Sequence, residues 1–151
     1  MAHTFLLEEG RWTFEGNWLE RDKLPLSIKG RTLVAWSQEN WFTWVTKLEF
    51  PGAERPGISF QYRGRLDLGD RQYNFVLQHS ELGRIEGEGW VGPAAIVQHY
   101  HVLSDDDRPT QRQQGFESLY RLDANTYTLS SGIFVGPSLL STMEAQLKRS
   151  V

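Results

Sequence analysis

The feature that most constrains this chain is an alternation of apolar and polar residues at period two, sustained in short runs from Trp12 to Leu147. Period two is the spacing of a β-strand with one face buried, whereas a helix would repeat at 3.6 residues. Trp12, Phe14, Gly16 and Trp18 share one face against Arg11, Thr13, Glu15 and Asn17. Ile28, Thr32, Val34 and Trp36 oppose Lys29 and Arg31, and Phe42, Trp44, Leu48 and Phe50 line a third strand that Pro51 and Gly52 end. Ile58, Phe60, Tyr62 and Leu66 alternate with Gln61, Arg63, Arg65 and Asp67, and Leu68-Gly69-Asp70 reads as a tight turn into Tyr73, Phe75, Leu77 and His79. Five further strands are expected over residues 84–91, 94–103, 111–122, 126–134 and about 140–149, with Ser104 to Thr110 as the one longer loop.

About ten consecutive strands joined by short connections predict an antiparallel up-and-down order, because short links make sequence neighbours spatial neighbours. Such a sheet must manage its edges, and closure into a barrel removes them, while Greek-key sandwiches need long crossings. The expected fold is therefore all-β, one antiparallel up-and-down barrel of about ten strands occupying residues 1–151 as a single domain. A barrel of that width can hold one small ligand inside.

Composition excludes several alternatives. The 151 residues carry a formal charge of −3, and the 16 Lys and Arg are scattered, so the electrostatic footprint of a nucleic-acid binder is missing. With no Cys there is no disulfide, thiolate nucleophile or thiolate metal site. No leader peptide is legible in Met-Ala-His-Thr-Phe-Leu-Leu-Glu-Glu, and no window approaches a membrane span, which makes the cytoplasm the expected compartment.

Gly10-Arg11-Trp12, echoed by Gly16-Asn17-Trp18, resembles the Gly-x-Trp that opens the first strand of lipocalin-type barrels. With the strand meander and the final strand Ser141–Arg149, the chain resembles the calycin superfamily, most nearly its small helix-poor lipocalin-like barrels. That group includes chromophore lyases and haem-binding nitrobindin-like proteins. The resemblance implies a non-covalently held apolar or amphiphilic molecule in the cup. Nitrobindin-like proteins ligate haem through a His near the C-terminus, and no His follows His101, so no cofactor is assigned.

The candidate ligand-binding residues are the inward aromatics and their titratable neighbour: Trp12, Phe14, Trp18, Phe42, Trp44, Phe60, Tyr62, Phe75, His79 and Tyr120. The same rings would also serve as a filled core. His79 reads either as an inner-wall group or as a rim residue, with Tyr62, His79 or Tyr120 orienting the ligand. Arg63, Arg65 and Arg121 are expected on the solvated surface, as are Glu15, Glu49, Glu86, Glu88, Glu117 and Glu144. No catalytic residue and no metal set is assigned. His99 and His101 share a face but lack a third ligand, and the sequence leaves open which face that is. Gly87-Glu88-Gly89-Trp90-Val91-Gly92 matches Gly-x-Gly-x-x-Gly, but Pro93 and a β-rich run deny the helix a dinucleotide site needs, so its glycines are expected to permit tight coiling of the barrel or close approach of another backbone. Asp105-Asp106-Asp107 lacks calcium-loop spacing.

The leading functional expectation is a binding module for a small apolar or aromatic molecule, without nucleic-acid or membrane partners. A chromophore lyase-like or isomerase-like enzyme using the same cavity is the alternative, and its weakness is a missing base. A homo-oligomer formed through an exposed edge or aromatic patch, around a filled core, is the third.

Overall fold

A computed structural model describes residues 2–67, 69, 71–103 and 112–150. Ten strands run β1 Gly10–Glu20, β2 Leu26–Trp36, β3 Trp41–Glu49, β4 Ile58–Leu66, β5 Gln72–His79, β6 Gly83–Val91, β7 Ala95–Val102, β8 Gln113–Asp123, β9 Thr126–Val135 and β10 Ser138–Arg149. Every sequential pair is antiparallel, and β10 returns to β1, so the sheet is a closed up-and-down barrel. A single short 3₁₀ turn, Gln38–Asn40, is the one helical element among the described residues. Among the described residues no helix is long and apolar enough to cross a membrane. The expected Ser104–Thr110 loop, with the Asp105-Asp106-Asp107 run, and two residues of the Leu68-Gly69-Asp70 turn lie outside the described residues.

Closure follows from the register of β1 on β10, which runs from Trp12 opposite Arg149 to Glu20 opposite Ser141. The inward set is aromatic enough to fill most of the lumen. Trp44 stacks on Tyr62 at 4.3 Å, Phe5 meets Trp44 edge-on at 4.9 Å, and Phe42 meets Tyr73 at 5.4 Å. Rings of this size fit because glycines stand opposite them. A Cβ at Gly89 would collide with the Tyr73 ring, and one at Gly115 with the Tyr100 ring. The glycine-rich run in β6 is thus explained by packing.

One end of the barrel is sealed by residues 2–9, where the strand pattern has not yet begun. Phe5 and Leu6 are wholly buried, and Phe5 lies against Trp12, Trp44 and Tyr127. The His3 ring Nε2 donates to the Gly92 carbonyl at 2.7 Å, so its Nδ1 accepts from the Tyr127 hydroxyl, also at 2.7 Å. Trp36 Nε1 donates to the Leu6 carbonyl at 2.8 Å, and Arg149 pairs with Glu8 at 2.9 Å. Leu6 adopts φ 70°, which costs a leucine about 1–2 kcal/mol and is held by this surround.

β8 corrects the sequence-based expectation. The alternation places Tyr120 among the inward aromatics, but it is 51% exposed, and Phe116 and Leu122 in the same phase also face out. The opposite phase, Gly115, Glu117 and Leu119, points inward. Leu119 pairs with Ile96 on β7 and Leu129 on β9, all buried, and Gly115 pairs with Tyr100. Cross-strand packing therefore outweighs the apolar count along the strand. Tyr120 leaves the candidate cup, and Glu117 enters it.

Two stability consequences follow. Trp44 is fully packed, so Trp44→Ala is expected to cost about 3–5 kcal/mol in urea unfolding. Deleting residues from Ser141 onward removes the strand that closes β1 and β9, and loss of the cooperative thermal transition is the expected outcome.

Candidate functional site

The end opposite the N-terminal segment is where the aromatic filling stops. Here β1 ends at Glu20, β5 at His79 and β4 begins at Ile58, and the connection from Phe50 to Gly57 brings Arg55 over the lumen. A cavity of about 260 Å³ lies among Trp18, Arg55, His79, Gln113, Ile133 and Leu140. Directly inward is a small space of about 20 Å³, the size of one water molecule, bounded by Phe14, Trp44, Phe60, Tyr62, Tyr100 and Glu117. Trp18, His79 and Ile133 border both spaces.

The sequence-predicted residues divide accordingly. Phe14, Trp18, Trp44, Phe60, Tyr62 and His79 border the inner space, and Trp18 and His79 also border the larger one. Trp12, Phe42 and Phe75 are buried but border neither. Tyr120 is on the outside. Arg55, Gln113 and Glu117 were not among the expected site residues: Arg55 and Gln113 lie off the apolar alternation, and Glu117 is a polar residue between exposed aromatics.

Glu117 is 5% exposed and anchors a chain of donors. Tyr62 donates to its Oε1 at 2.8 Å, and Gln98 Nε2 donates to its Oε2 at 3.2 Å. Tyr73 in turn donates to Gln98 Oε1 at 2.7 Å. Burial pushes the Glu117 carboxyl up to about 7, against the downward pull of its two hydrogen bonds. The same burial, with the nearby carboxylate, raises the Tyr62, Tyr73 and Tyr100 phenols. When Glu117 takes a proton, one bond must reverse, and the rotatable Tyr62 hydroxyl can do so.

His79 is 6% exposed, and its edge meets Phe60 at 4.7 Å. Its Nδ1 accepts from the backbone N–H groups of Glu81 and Leu82 at 3.0 and 3.1 Å, which places the ring proton on Nε2. Burial, with Arg55 adding to it, lowers its pKa to about 4, so the ring is neutral at pH 7. Arg55 Nη2 pairs with Glu20 at 2.7 Å and Glu81 at 3.1 Å, while its guanidinium lies 4.3 Å from the Phe50 ring centre and 5.1 Å from that of Trp18.

A wider groove of about 1150 Å³ runs over the outside of β4–β7. It includes His99 and His101, which the structure places on the outer face, with His99 paired to Glu88 at 2.9 Å. Arg63 and Arg65 lie over Trp41 there. Among the described residues no group of three His, Cys, Asp or Glu is placed to hold a metal.

Glu117 and His79 act on stability with opposite signs. Between about pH 4.5 and 7 folded Glu117 binds more proton than the unfolded chain, so its contribution falls as pH rises, by about 3 kcal/mol in total. Between about pH 4 and 6.5 folded His79 binds less, so its contribution rises with pH. Glu117→Gln is expected to remove the first effect. In urea unfolding at several pH values, the variant should gain stability relative to wild type as pH rises from 5 to 8, and parallel curves would refute this.

No family model matches the sequence, and no curated protein matches it. Among solved structures, the crystal structure of Rv2717c from M. tuberculosis is similar at TM-score 0.70, over 94% of this chain and 92% of that one, with 15% identity. At that identity the likeness shows a shared barrel fold and nothing of function.

Proposed function

We propose that this barrel is a cytoplasmic, calycin-like binding module that holds one small apolar or aromatic molecule at the end away from the N-terminal segment. The observation that carries this reading is the asymmetry of the lumen. Residues 2–9 and the rings around Phe5 fill one end, while the other keeps about 260 Å³ beside Trp18, Ile133 and Leu140. Trp18, Leu82, Ile133 and Leu140 give this space an apolar wall, and the other seven lining residues, among them Glu20, Arg55, His79 and Glu81, are polar; a concave space where an apolar wall meets convergent polar groups is a form a small-molecule site takes. Its volume suits a mono- or bicyclic compound rather than a long acyl chain.

A second reading is favoured by Glu117. An isomerase-like or lyase-like use of the cup needs a proton carrier, and a buried carboxyl with a pKa near 7 beside the Tyr62 hydroxyl meets that requirement. Under that reading Glu117→Gln abolishes turnover of a host metabolite while leaving its binding intact.

Native mass spectrometry of protein purified from its own host, together with uptake of a hydrophobic fluorescent probe, tests the binding reading. One probe per chain is expected, with uptake weakened in Trp18→Ala and unchanged in Trp41→Ala, whose ring is on the outer wall. Absence of both probe uptake and a co-purified molecule would sink it.

A further inference from the structure

β8 carries apolar residues in both phases, the pattern of a strand covered on both faces. The lumen covers its inner phase. The outer phase is open: Phe116 is 47% and Tyr120 51% exposed, and Trp90, two strands away on β6, is 52% exposed. The register joins these rings into one patch. Trp90 pairs with Val97, Val97 with Ser118 and Ser118 with Ser130, while Tyr120 lies between Ala95 and Thr128. Large rings thus stand beside a shelf of small uncharged side chains, toward the start of β7 and the end of β8.

Size and charge bear on what covers it. About half exposed, the three rings offer about 300 Å² of apolar surface, the size of patch that on a monomer often marks an interaction site. That is more than a third of the roughly 800 Å² each partner gives to a standard interface, and the shelf and rim enlarge it. In the three rows that cross the patch from β6 to β10, the carboxylates are Glu88, beside His99, and Glu144, beside Ser130. Lipid surfaces and nucleic acids are engaged through Lys and Arg around the contact, so an acidic rim suits neither.

The patch also contains its own complement. A two-fold axis lying in the contact plane, between β7 and β8 and parallel to both, sets β8 of one copy on β7 of another with the rows in step. Tyr120 then lies over Ala95 of the second copy, Ser118 over Val97, Phe116 over the His99 ring and Trp90 over Ser130. Every large ring meets a small side chain or a flat ring, and no two like charges face each other. An axis running across the strands at Ser118 would instead oppose Glu144 to Glu144 and Trp90 to Trp90. We propose that the chain forms a two-fold dimer through this outer face of β7 and β8. The lumen lies on the other side of the sheet, so the dimer is independent of the binding reading.

Sedimentation equilibrium of the full chain tests this. The wild type is expected at twice the chain mass at micromolar concentration. Ser118→Arg at the centre of the patch, and Tyr120→Arg and Ala95→Asp at one contact, are each expected to weaken the dimer about a hundredfold while keeping a cooperative thermal transition. Leu33→Arg, on the outer face of β2 where Leu33 is 46% exposed, is expected to leave it unchanged. Mixing the Tyr120→Arg and Ala95→Asp chains is expected to restore association, because the new arginine of one faces the new aspartate of the other. A wild type that stays monomeric at about 100 μM overturns the proposal, and its binding to phosphatidylcholine vesicles would then assign the patch to a lipid surface. A dimer that survives Ser118→Arg also overturns it, and arginine and aspartate chains that stay apart when mixed overturn the two-fold arrangement.

Discussion

The structure depends on the ladder between β1 and β10. It joins residues more than a hundred positions apart, and without it both strands would be free edges exposing unpaired N–H and C=O groups. Once that ladder forms, the sheet has an inside, and every second side chain of ten strands must share one lumen. The aromatic content then becomes a packing problem that glycines solve locally, by leaving room opposite Tyr73 and Tyr100.

Filling is uneven along the axis. At one end the N-terminal segment inserts Phe5 and Leu6 and secures itself through His3, Thr4, Trp36 and Arg149, satisfying its backbone with named partners. At the other, the rings give way to Arg55, His79 and Gln113, polar groups held close to the lumen by the loops and strand ends. Between the two ends lies the chain from Tyr73 through Gln98 to Glu117 and Tyr62. A carboxyl in that position weakens the barrel at alkaline pH, a cost consistent with retention for a purpose other than stability.

Both of the deep polar groups are tuned by desolvation before any partner acts. Glu117 is raised and His79 lowered, each toward its neutral form, so that near pH 7 His79 is uncharged and Glu117 is about half ionised. Under the proposed binding function, hydrogen bonds rather than ion pairs would orient a guest in such an interior.

Strand number, order and most boundaries were legible in the sequence because alternation at period two depends on neighbours along the chain, and Pro and Gly mark its breaks. Phe14, Trp18 and Tyr62 were legible as inward for the same reason, whereas His79, at the end of its strand, read equally as a rim residue. In β8 the sequence carried apolar residues in both phases, and its direction was settled by Ile96 and Leu129 on the flanking strands, contacts that exist only after pairing. The face of His99 and His101 was decided in the same way. The sealing of one end by residues 2–9 and the approach of Arg55 to His79 depend on closure, which brings distant segments over the same opening. The sequence by itself determined a barrel with an aromatic inner face. Only the tertiary structure decided which end is filled, because that depends on where the loops and the N-terminal segment fold back, and no periodic signal encodes it.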